Sequence, residues 1–349
     1  MPVHMKLPSP TFWDLRGGER KPMTPPHAPV VMCLGNFDGV HQAHSALLRQ
    51  GLALRDEKLP EGLCGVFTFV HPSSDYLHGA PKADTGAERT LILKAPHQQQ
   101  HLSTMDEKLR LFQALGIDFV CLCDFQDIYT LPPDAFLSFL TDHLSARGAV
   151  CGFNYHFGAG GKGTVKDLTS YFDRPDEGFF YAVTPPYRLD GEAVSSTRIR
   201  KLLQLGLADE AAKHLGRPYA LENTVVKGKQ LGRKLGFPTA NQYFLPESLV
   251  PAHGVYAVLC HTPLGIYPGV ANVGSHPTVD EHATVNCETY VLGPAQDLYG
   301  YRMKVEFLCR LRGEEKFSSL DALTAAITRD AEAASAYVEA YLSSAMPSN

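Results

Sequence analysis

The chain of 349 residues lacks any run of about 18 consecutive apolar residues, the length that a membrane-spanning helix needs. Its N-terminus lacks a basic segment followed by an apolar core, so we expect neither a signal peptide nor an anchor. With 44% hydrophobic and 20% charged residues, the composition is that of a folded globular protein rather than a disordered one. These absences predict a cytoplasmic protein with no membrane partner.

An excess of positive charge is also missing. The formal net charge is −5, whereas a large nucleic-acid surface requires a strongly basic protein. We therefore expect no nucleic-acid partner.

Cysteine motifs are absent as well. The eight cysteines form no C-x-x-C pair and lie mostly in apolar runs, and Cys121 and Cys123 are two apart on a predicted strand. Neither spacing supports zinc or redox chemistry. We interpret the cysteines as reduced, buried thiols.

Strands and helices alternate from residue 30 to about residue 187. Short apolar runs typical of buried parallel strands occur at 30–34, 63–69, 119–122 and 149–152. Segments with helical periodicity separate these runs, which predicts an α/β domain with an open parallel sheet flanked by helices. We expect the proline-rich residues 1–29 to form an extended arm, because proline removes N–H donors and fixes φ.

The pattern changes after residue 187. Residues 195–203 predict a helix capped by paired serines, within a helical linker, 188–216, that closes the first domain. Between 217 and 349, short β-rich stretches separated by Gly and Pro clusters predict a small antiparallel β-barrel or sandwich. An alanine-rich helix from 319 to about 342 ends the chain. The length of the chain also fits two domains, because a domain has about 150 residues.

A glycine loop follows the first strand and opens the first helix. Gly35 and Gly39 let backbone amides approach an anion, and His41 and His44 lie three apart on one helical face. This arrangement predicts a cradle for a polyphosphate. Alternatively, the two imidazoles only cap and pack the helix, or they bind a metal, although no cysteine or third histidine is near in sequence.

The predicted helix at 195–203 offers a second set of phosphate-binding groups. Ser196 and Thr197 supply hydroxyls and amides at the helix start, and Arg198 supplies a planar fork of donors. An ordinary capped helix is the alternative interpretation.

A second glycine loop spans residues 228–241 and contains three glycines, three cations and a Thr-x-Asn pair. It is not a Walker loop, which would end in Gly-Lys-Ser/Thr before a helix. An ordinary hairpin would explain the glycines but leave the cations and oxygen donors without a purpose. We interpret the segment as another phosphate loop.

These motifs, in this order, resemble those of bacterial bifunctional riboflavin kinases/FAD synthetases. Residues 35–44, 151–158 and 189–200 resemble three motifs of the nucleotidylyltransferase module, and 228–241 closely resembles the riboflavin kinase signature. Residues 286–290 resemble the segment that carries the kinase's general base. The resemblance covers roughly residues 30 to 337.

The resemblance implies a Rossmann-like FMN adenylyltransferase domain at 30–187 and a β-barrel riboflavin kinase domain at 217–349, with riboflavin, FMN and ATP as ligands. In the first domain, it implies catalytic roles for His41, His44 and Arg198. The nucleotide and flavin contacts would come from Gly35, Asn36, Phe37, Gly39, Asn154, Ser196 and Thr197.

In the kinase domain, the resemblance implies that Glu288 is the general base. Thr239 and Asn241 would hold Mg²⁺, as hard oxygen donors for a hard cation. The loop around the ATP phosphates would consist of Gly228, Lys229, Gly232, Arg233, Gly236 and Pro238.

Three positions depart from the family's pattern. Ala43 replaces a glycine, Tyr290 replaces a histidine, and the segment 68–72, with His71 and Pro72, is one residue short. A fourth departure is the loop 293–296, which replaces a more acidic one. One alternative is therefore a riboflavin kinase with a degenerate adenylyltransferase domain. The others are a different nucleotidylyltransferase fused to an unrelated barrel, and a non-catalytic flavin-binding protein. The oligomeric state stays open.

Overall fold

The computed structural model describes residues 8–70, 100–228, 232, 235–275 and 285–345. The chain divides into two compact units, Met1–Val194 and Ser195–Asn349, and each is described by itself.

The first unit contains eleven strands and five helices among its described residues. The strands are β1 (Thr11–Asp14), β2 (Lys21–Met23), β3 (Val30–Leu34), β4 (Leu63–Phe69), β5 (Phe119–Cys123), β6 (Ala146–Gly152), β7 (His156–Phe157), β8 (Gly163–Thr164), β9 (Phe180–Thr184), β10 (Arg188–Leu189) and β11 (Glu192–Ala193). The helices are α1 (Gln42–Lys58), α2 (Met105–Ala114), α3 (Phe125–Tyr129), α4 (Pro133–Leu144) and α5 (Val165–Phe172).

Seven of these strands form one sheet in the order β2-β1-β5-β4-β3-β6-β9. Strands β5, β4, β3, β6 and β9 run parallel to one another. The chain moves outward from β3 through β4 to β5 and then returns to the other side of β3 at β6. This reversal is a topological switch point, where ligands bind at the carboxyl ends of the strands.

The apolar runs form strands that are buried on both faces of the sheet. Within β3, Met32 packs into the core beneath α4, whereas Cys33 packs into the core beneath α1. Successive side chains point to opposite faces of a strand, so a strand covered on both sides is continuously apolar. The structure confirms the predicted α/β domain with a parallel sheet.

The prediction of an extended arm at 1–29 is wrong for residues 11–14 and 21–23. Strand β1 pairs antiparallel with β5 and with β2, so it extends the sheet. Phe12 is buried in the core, which supplies a reason for residues 11–14 to join the sheet. Pro22 is accommodated because β2 is an edge strand, where a missing N–H donor removes no ladder bond.

The second unit contains α6 (Ser196–Gln204), α7 (Ala208–Leu215) and a terminal helix, α8 (Leu320–Ala345). Its strands are β12 (Tyr219–Thr224), β13 (Thr239–Tyr243), β14 (Gly254–Thr262), β15 (Gly265–Ser275), β16 (Val285–Val291) and β17 (Arg302–Arg312). They form an antiparallel sheet in the order β12-β17-β14-β15-β16-β13.

The two edge strands of this sheet, β12 and β13, meet through side chains rather than a ladder. Gln242 Nε2 donates to the carbonyls of Asn223 (2.6 Å) and Met303 (2.7 Å), and a single bridge joins Val226 to Asn241. Phe307 fills the interior and contacts the ring of Tyr256. The predicted antiparallel barrel architecture with a terminal helix is confirmed.

The predicted linker at 188–216 is divided between the units. Strands β10 and β11 pair as a hairpin in the first unit, whereas α6 and α7 belong to the second. Helix α7 packs against β17 and β12, with Ala211 and Leu215 buried. Both helices belong to the second compact unit.

Three further features concern the chain as a whole. All eight cysteines carry free thiols, and seven are buried as predicted, while Cys309 is half-buried. Within the described ranges, no helix has both the length and the apolarity to cross a membrane. The same ranges contain no group of three or more His, Cys, Asp and Glu side chains placed to hold a metal ion.

Candidate active sites

The glycine loop of the first unit leaves the carboxyl end of β3 in an unusual conformation. Phe37, Gly39 and Val40 have φ values of 49°, 81° and 39°. A β-branched residue such as Val40 rarely adopts a positive φ, and such strain persists only where the surroundings fix the backbone. Phe37 and Val40 are both buried, so packing anchors the loop on either side of Gly39.

Hydrogen bonds from two other segments also hold this loop. The Asn36 carbonyl accepts from Thr68 Oγ1 and from Lys108 Nζ, each at 3.1 Å. Gly39 N donates to Ser103 Oγ at 3.0 Å, and Leu102 N donates to a carboxylate oxygen of Asp38 at 3.0 Å. The carboxyl end of β4 and the segment 102–108 together fix the loop.

His41 and His44 lie together at the start of α1. His41 caps the helix, and its Nδ1 accepts from the backbone N–H of His44 at 3.3 Å, which leaves its imidazole proton on Nε2. The two rings stack with centroids 3.5 Å apart. The structure therefore brings together the imidazoles that the sequence predicts as a pair.

The surroundings of His44 favour its neutral form. Burial lowers the pKa of His44 well below its ordinary value, and the nearby His41 and Lys108 lower it further. Its Nδ1 is buried and has no hydrogen-bond partner among the described residues. A neutral imidazole whose ring nitrogen makes no hydrogen bond within the protein is better suited to forming a hydrogen bond with a ligand than to supplying a positive charge.

Asn154 follows β6 at the same edge of the sheet as the glycine loop. Strands β3 and β6 are parallel neighbours, so their carboxyl ends, Leu34 and Gly152, lie at one edge. Phe153 N donates to the Thr184 carbonyl at 3.0 Å, and Asn154 is exposed. Asn154 thus flanks the switch point, as the predicted flavin contact requires.

Ser196, Thr197 and Arg198 form the first turn of α6. Ser195 caps this helix by accepting from Arg198 N at 3.3 Å. The turn presents the N–H groups that a helix leaves without intrahelical partners. These residues belong to the second compact unit, so their predicted role beside the histidines stays a prediction.

In the second unit, strand register aligns the predicted kinase residues. Glu288 on β16 lies opposite Asn241 on β13 and opposite Asn272 on β15. Thr239 lies opposite Tyr290. Because positions two apart along a strand share a face, all five side chains belong to one face of the sheet.

This face is rich in oxygen atoms. Asn286 Nδ2 donates to Asn241 Oδ1 at 3.3 Å and to Glu288 Oε1 at 3.4 Å. Its own Oδ1 is buried, without a hydrogen-bond partner in the part of the chain that the structure describes. Together with Thr239, these oxygens are the hard donors that Mg²⁺ prefers, so the residues fit the predicted metal.

The second glycine loop approaches this face closely. A Cβ on Gly228 would lie 2.5 Å from Asn241 Nδ2, so a larger residue would displace the asparagine. Gly232 O accepts from Phe237 N at 2.8 Å, and Gly236 between them has φ = 86°, which closes the turn before Pro238. Lys229 and Arg233 lie outside the described residues, as do His71 and Pro72 of the first domain.

A cavity of about 310 Å³ lies between this face and α8. The strands contribute Thr239, Asn272, Glu288 and Tyr290, and the helix contributes Leu323, Ile327 and Asp330. Arg312 on β17 donates to the Asp330 carboxylate from Nε (3.2 Å) and Nη2 (2.8 Å), which ties the helix to the barrel. A mostly apolar wall with a few polar groups is typical of a small-molecule site.

Several site residues escaped the sequence prediction. Asp38 lies inside the first motif. Lys108 lies on α2 next to the buried Leu109, and the sequence alone offers no sign of its contact with the loop except its place beside an apolar residue. Asn272, Arg312 and Asp330 become site residues only through strand register and helix packing.

Each unit thus presents a glycine loop and polar side chains of the kind that bind phosphate, which indicates a nucleotide-using transferase with two sites. Comparison with known proteins agrees for both units. The family model described as FAD synthetase matches residues 24–198, and the one described as riboflavin kinase matches residues 215–338.

Relatives resemble nearly the whole chain. The bifunctional riboflavin kinase/FMN adenylyltransferase of Escherichia coli K12 is 34% identical over 314 residues, covering 87% of this chain and 91% of that protein. The enzyme of the same name from Listeria monocytogenes is 30% identical, covering 86% and 90%. The chain therefore belongs to the bifunctional riboflavin kinase/FMN adenylyltransferase family.

A solved structure also resembles this fold. It is described as a macrolide-efflux protein from Streptococcus pneumoniae, and it matches with a TM-score of 0.75 and 30% identity. The match covers 88% of this chain and 94% of that one.

Proposed function

We propose that the chain makes FAD from riboflavin in two ATP-dependent steps, one in each unit. The second unit transfers the γ-phosphoryl group of ATP to the riboflavin 5′-hydroxyl, giving FMN and ADP. In the first unit, the FMN phosphate attacks the α-phosphorus of ATP, giving FAD and pyrophosphate. The observation that carries the proposal is that one chain holds both the stacked imidazoles at a switch point and the Asn241–Glu288 face beside a cavity.

In the kinase step, Glu288 accepts the proton of the riboflavin hydroxyl. Thr239 and Asn241 hold Mg²⁺, which when bound offsets charge on the ATP phosphates. The cavity beside Glu288 receives the flavin. The phosphates lie on the loop formed by Gly228, Lys229, Gly232, Arg233, Gly236 and Pro238.

In the adenylylation step, the glycine loop and the start of α6 bind the phosphates of ATP. His41 and His44 donate hydrogen bonds to phosphate oxygens, and Arg198 adds a charged fork. Asn154 contacts the flavin. Because the FMN phosphate is itself the nucleophile, the step requires no covalent enzyme intermediate.

A riboflavin kinase with a degenerate first domain was the alternative. It is disfavoured because the FAD synthetase model matches residues 24–198 and the loop retains its hydrogen bonds and stacked histidines. Ala43, the departure within the motif, lies in the first turn of α1.

The test is to incubate the purified protein with riboflavin, ATP and Mg²⁺ and to separate the products by chromatography. We expect FMN to accumulate and FAD to follow. If neither forms, the proposal fails, and if FMN forms without FAD, the alternative of a kinase alone replaces it. Omitting Mg²⁺ should stop FMN formation.

A further inference from the structure

A buried cation lies beneath the first site. Lys108 on α2 is only 2% exposed, although lysine is among the residues that are almost never fully buried without a partner. Its Nζ donates to the Asn36 carbonyl at 3.1 Å. Removing a charge from water is costly, so a lysine at this position indicates a specific purpose.

The hydrogen bond from Lys108 to the Asn36 carbonyl helps to set the direction in which the backbone N–H of Phe37 points. In a trans peptide the carbonyl and the following N–H point in opposite directions. A carbonyl held by Lys108 and Thr68 therefore aims the N–H of Phe37 to the opposite side of the peptide. Phe37 has a positive φ, so its backbone needs such restraint.

The charge of Lys108 also helps to lower the pKa of His44, after burial, which is the largest cause, and the nearby His41. His44 is approached by charged or titratable groups from two elements, His41 at the start of its own helix and Lys108 on α2. A nearby cation disfavours a second positive charge, so Lys108 helps to keep His44 neutral.

We propose that Lys108 is a positioning residue of the first site, which holds the glycine loop through the Asn36 carbonyl and places a positive charge in the neighbourhood of His44. The role rests on the proposed adenylylation of FMN. Neither the family motifs nor the predicted site residues include this lysine.

The experiment compares Lys108→Met and Lys108→Gln with the wild-type chain. Methionine removes both the charge and the donor, whereas glutamine keeps an N–H donor for Asn36 without the charge. Lys58→Met is the matched control, because Lys58 is exposed at the end of α1 and forms an ion pair with the exposed Glu57. FMN formation, measured in each variant, shows whether the second unit is folded.

We expect Lys108→Met to lower kcat for FAD formation from FMN and ATP by about 10- to 100-fold, the effect of slightly misplacing a catalytic loop. The KM for ATP should change much less, and FMN formation should not change. We expect Lys108→Gln to retain more FAD formation than Lys108→Met, and Lys58→Met to behave as the wild type does.

A second readout does not depend on activity. In protein with ¹³C-labelled histidine, the His44 resonance, identified by its loss in His44→Gln, should titrate at higher pH in both Lys108 variants. An unshifted titration, or wild-type kcat in both variants, would overturn the inference. If Lys108→Met does not fold, Lys108→Gln carries the test. If the wild-type protein forms no FAD, the proposed function fails separately, and the titration still tests Lys108.

Discussion

Glu288 is the residue on which the kinase proposal depends most directly. It lies between Asn241 and Asn272 on neighbouring strands, on the face that borders the cavity. Carboxylates on strands are often only solvated, but this one lines a cavity beside oxygen donors suited to Mg²⁺. Position, rather than residue type, is what distinguishes it as a candidate base.

Changing Glu288 to Gln keeps the shape of the side chain and removes the base. We expect FMN formation to fall by about 10²- to 10⁴-fold, the usual contribution of a general base. Glu247→Gln, at an exposed position in the same unit, is the control. Initial rates measured by chromatography check this, and a Glu288→Gln rate equal to wild type would refute the assigned role.

At the scale of elements, an ion pair between residues two apart lies where strand β1 ends. The Asp14 carboxylate accepts from Arg16 Nε and Nη2, each at 2.9 Å. This side-chain hydrogen bond is the main cause that lowers the pKa of Asp14 to about 2, with burial opposing it. The pair therefore stabilises the fold above the ordinary pKa of aspartate, and the stabilisation is lost as pH falls toward 2.

We expect Asp14→Asn to lower the free energy of unfolding of the first unit by about 1 kcal/mol at pH 7, a value reduced because Arg16 is half-exposed. The difference from wild type should shrink as pH falls from 4 toward 2. Trp13, the only tryptophan in the chain, reports this unit by fluorescence during urea unfolding. If the free energies of unfolding of Asp14→Asn and wild type differ equally at pH 7 and at pH 3, the role of the ion pair is contradicted. Asp56→Asn, at an exposed position, is the control and should change the free energy of unfolding little.

Helix α8 forms one wall of the kinase cavity, and the Arg312–Asp330 pair ties it to β17. We expect Asp330→Asn to raise the KM for riboflavin by about tenfold, because a bidentate charged pair fixes geometry better than a neutral amide does. FAD formation from supplied FMN should not change. Asp321→Asn, at the exposed start of the same helix, is the matched control. An unchanged KM in Asp330→Asn would show that the pair does not shape the flavin site.

At the scale of the whole molecule, the two compact units each hold a core and a predicted site. A net charge of −5 is compatible with phosphate ligands, because the cations involved are few and lie in short loops.

The separation of the sites is itself testable. We expect the double variant His41→Ala/His44→Ala to lose FAD formation and to keep FMN formation. Conversely, Glu288→Gln supplied with FMN should still form FAD. Product analysis by chromatography distinguishes these cases, with thermal unfolding as the check on folding. Loss of both activities in either folded variant would contradict two independent sites.

Much of the fold could be predicted from the sequence because local patterns reflect burial. The run 30–34 coincides with β3, since a strand buried on both faces leaves a continuous apolar segment. Strands β1 and β2 were missed because β1 pairs with β5, about 100 residues away in the chain, and because the prolines in and around the two strands resemble a loop. The placement of α7 was missed for a similar reason, since it depends on packing against β17, which lies far away in the sequence.

By itself, the sequence determined the order of elements and the contiguous motifs, such as the glycine loop with His41 and His44, because neighbours in the chain are neighbours in space. Only the tertiary structure decided that Lys108 lies beneath that loop and that Glu288 faces Asn272. These contacts depend on strand register and side-chain packing between distant segments. A shift of register by one residue would move Glu288 to the opposite face of the sheet, and no local pattern records that choice.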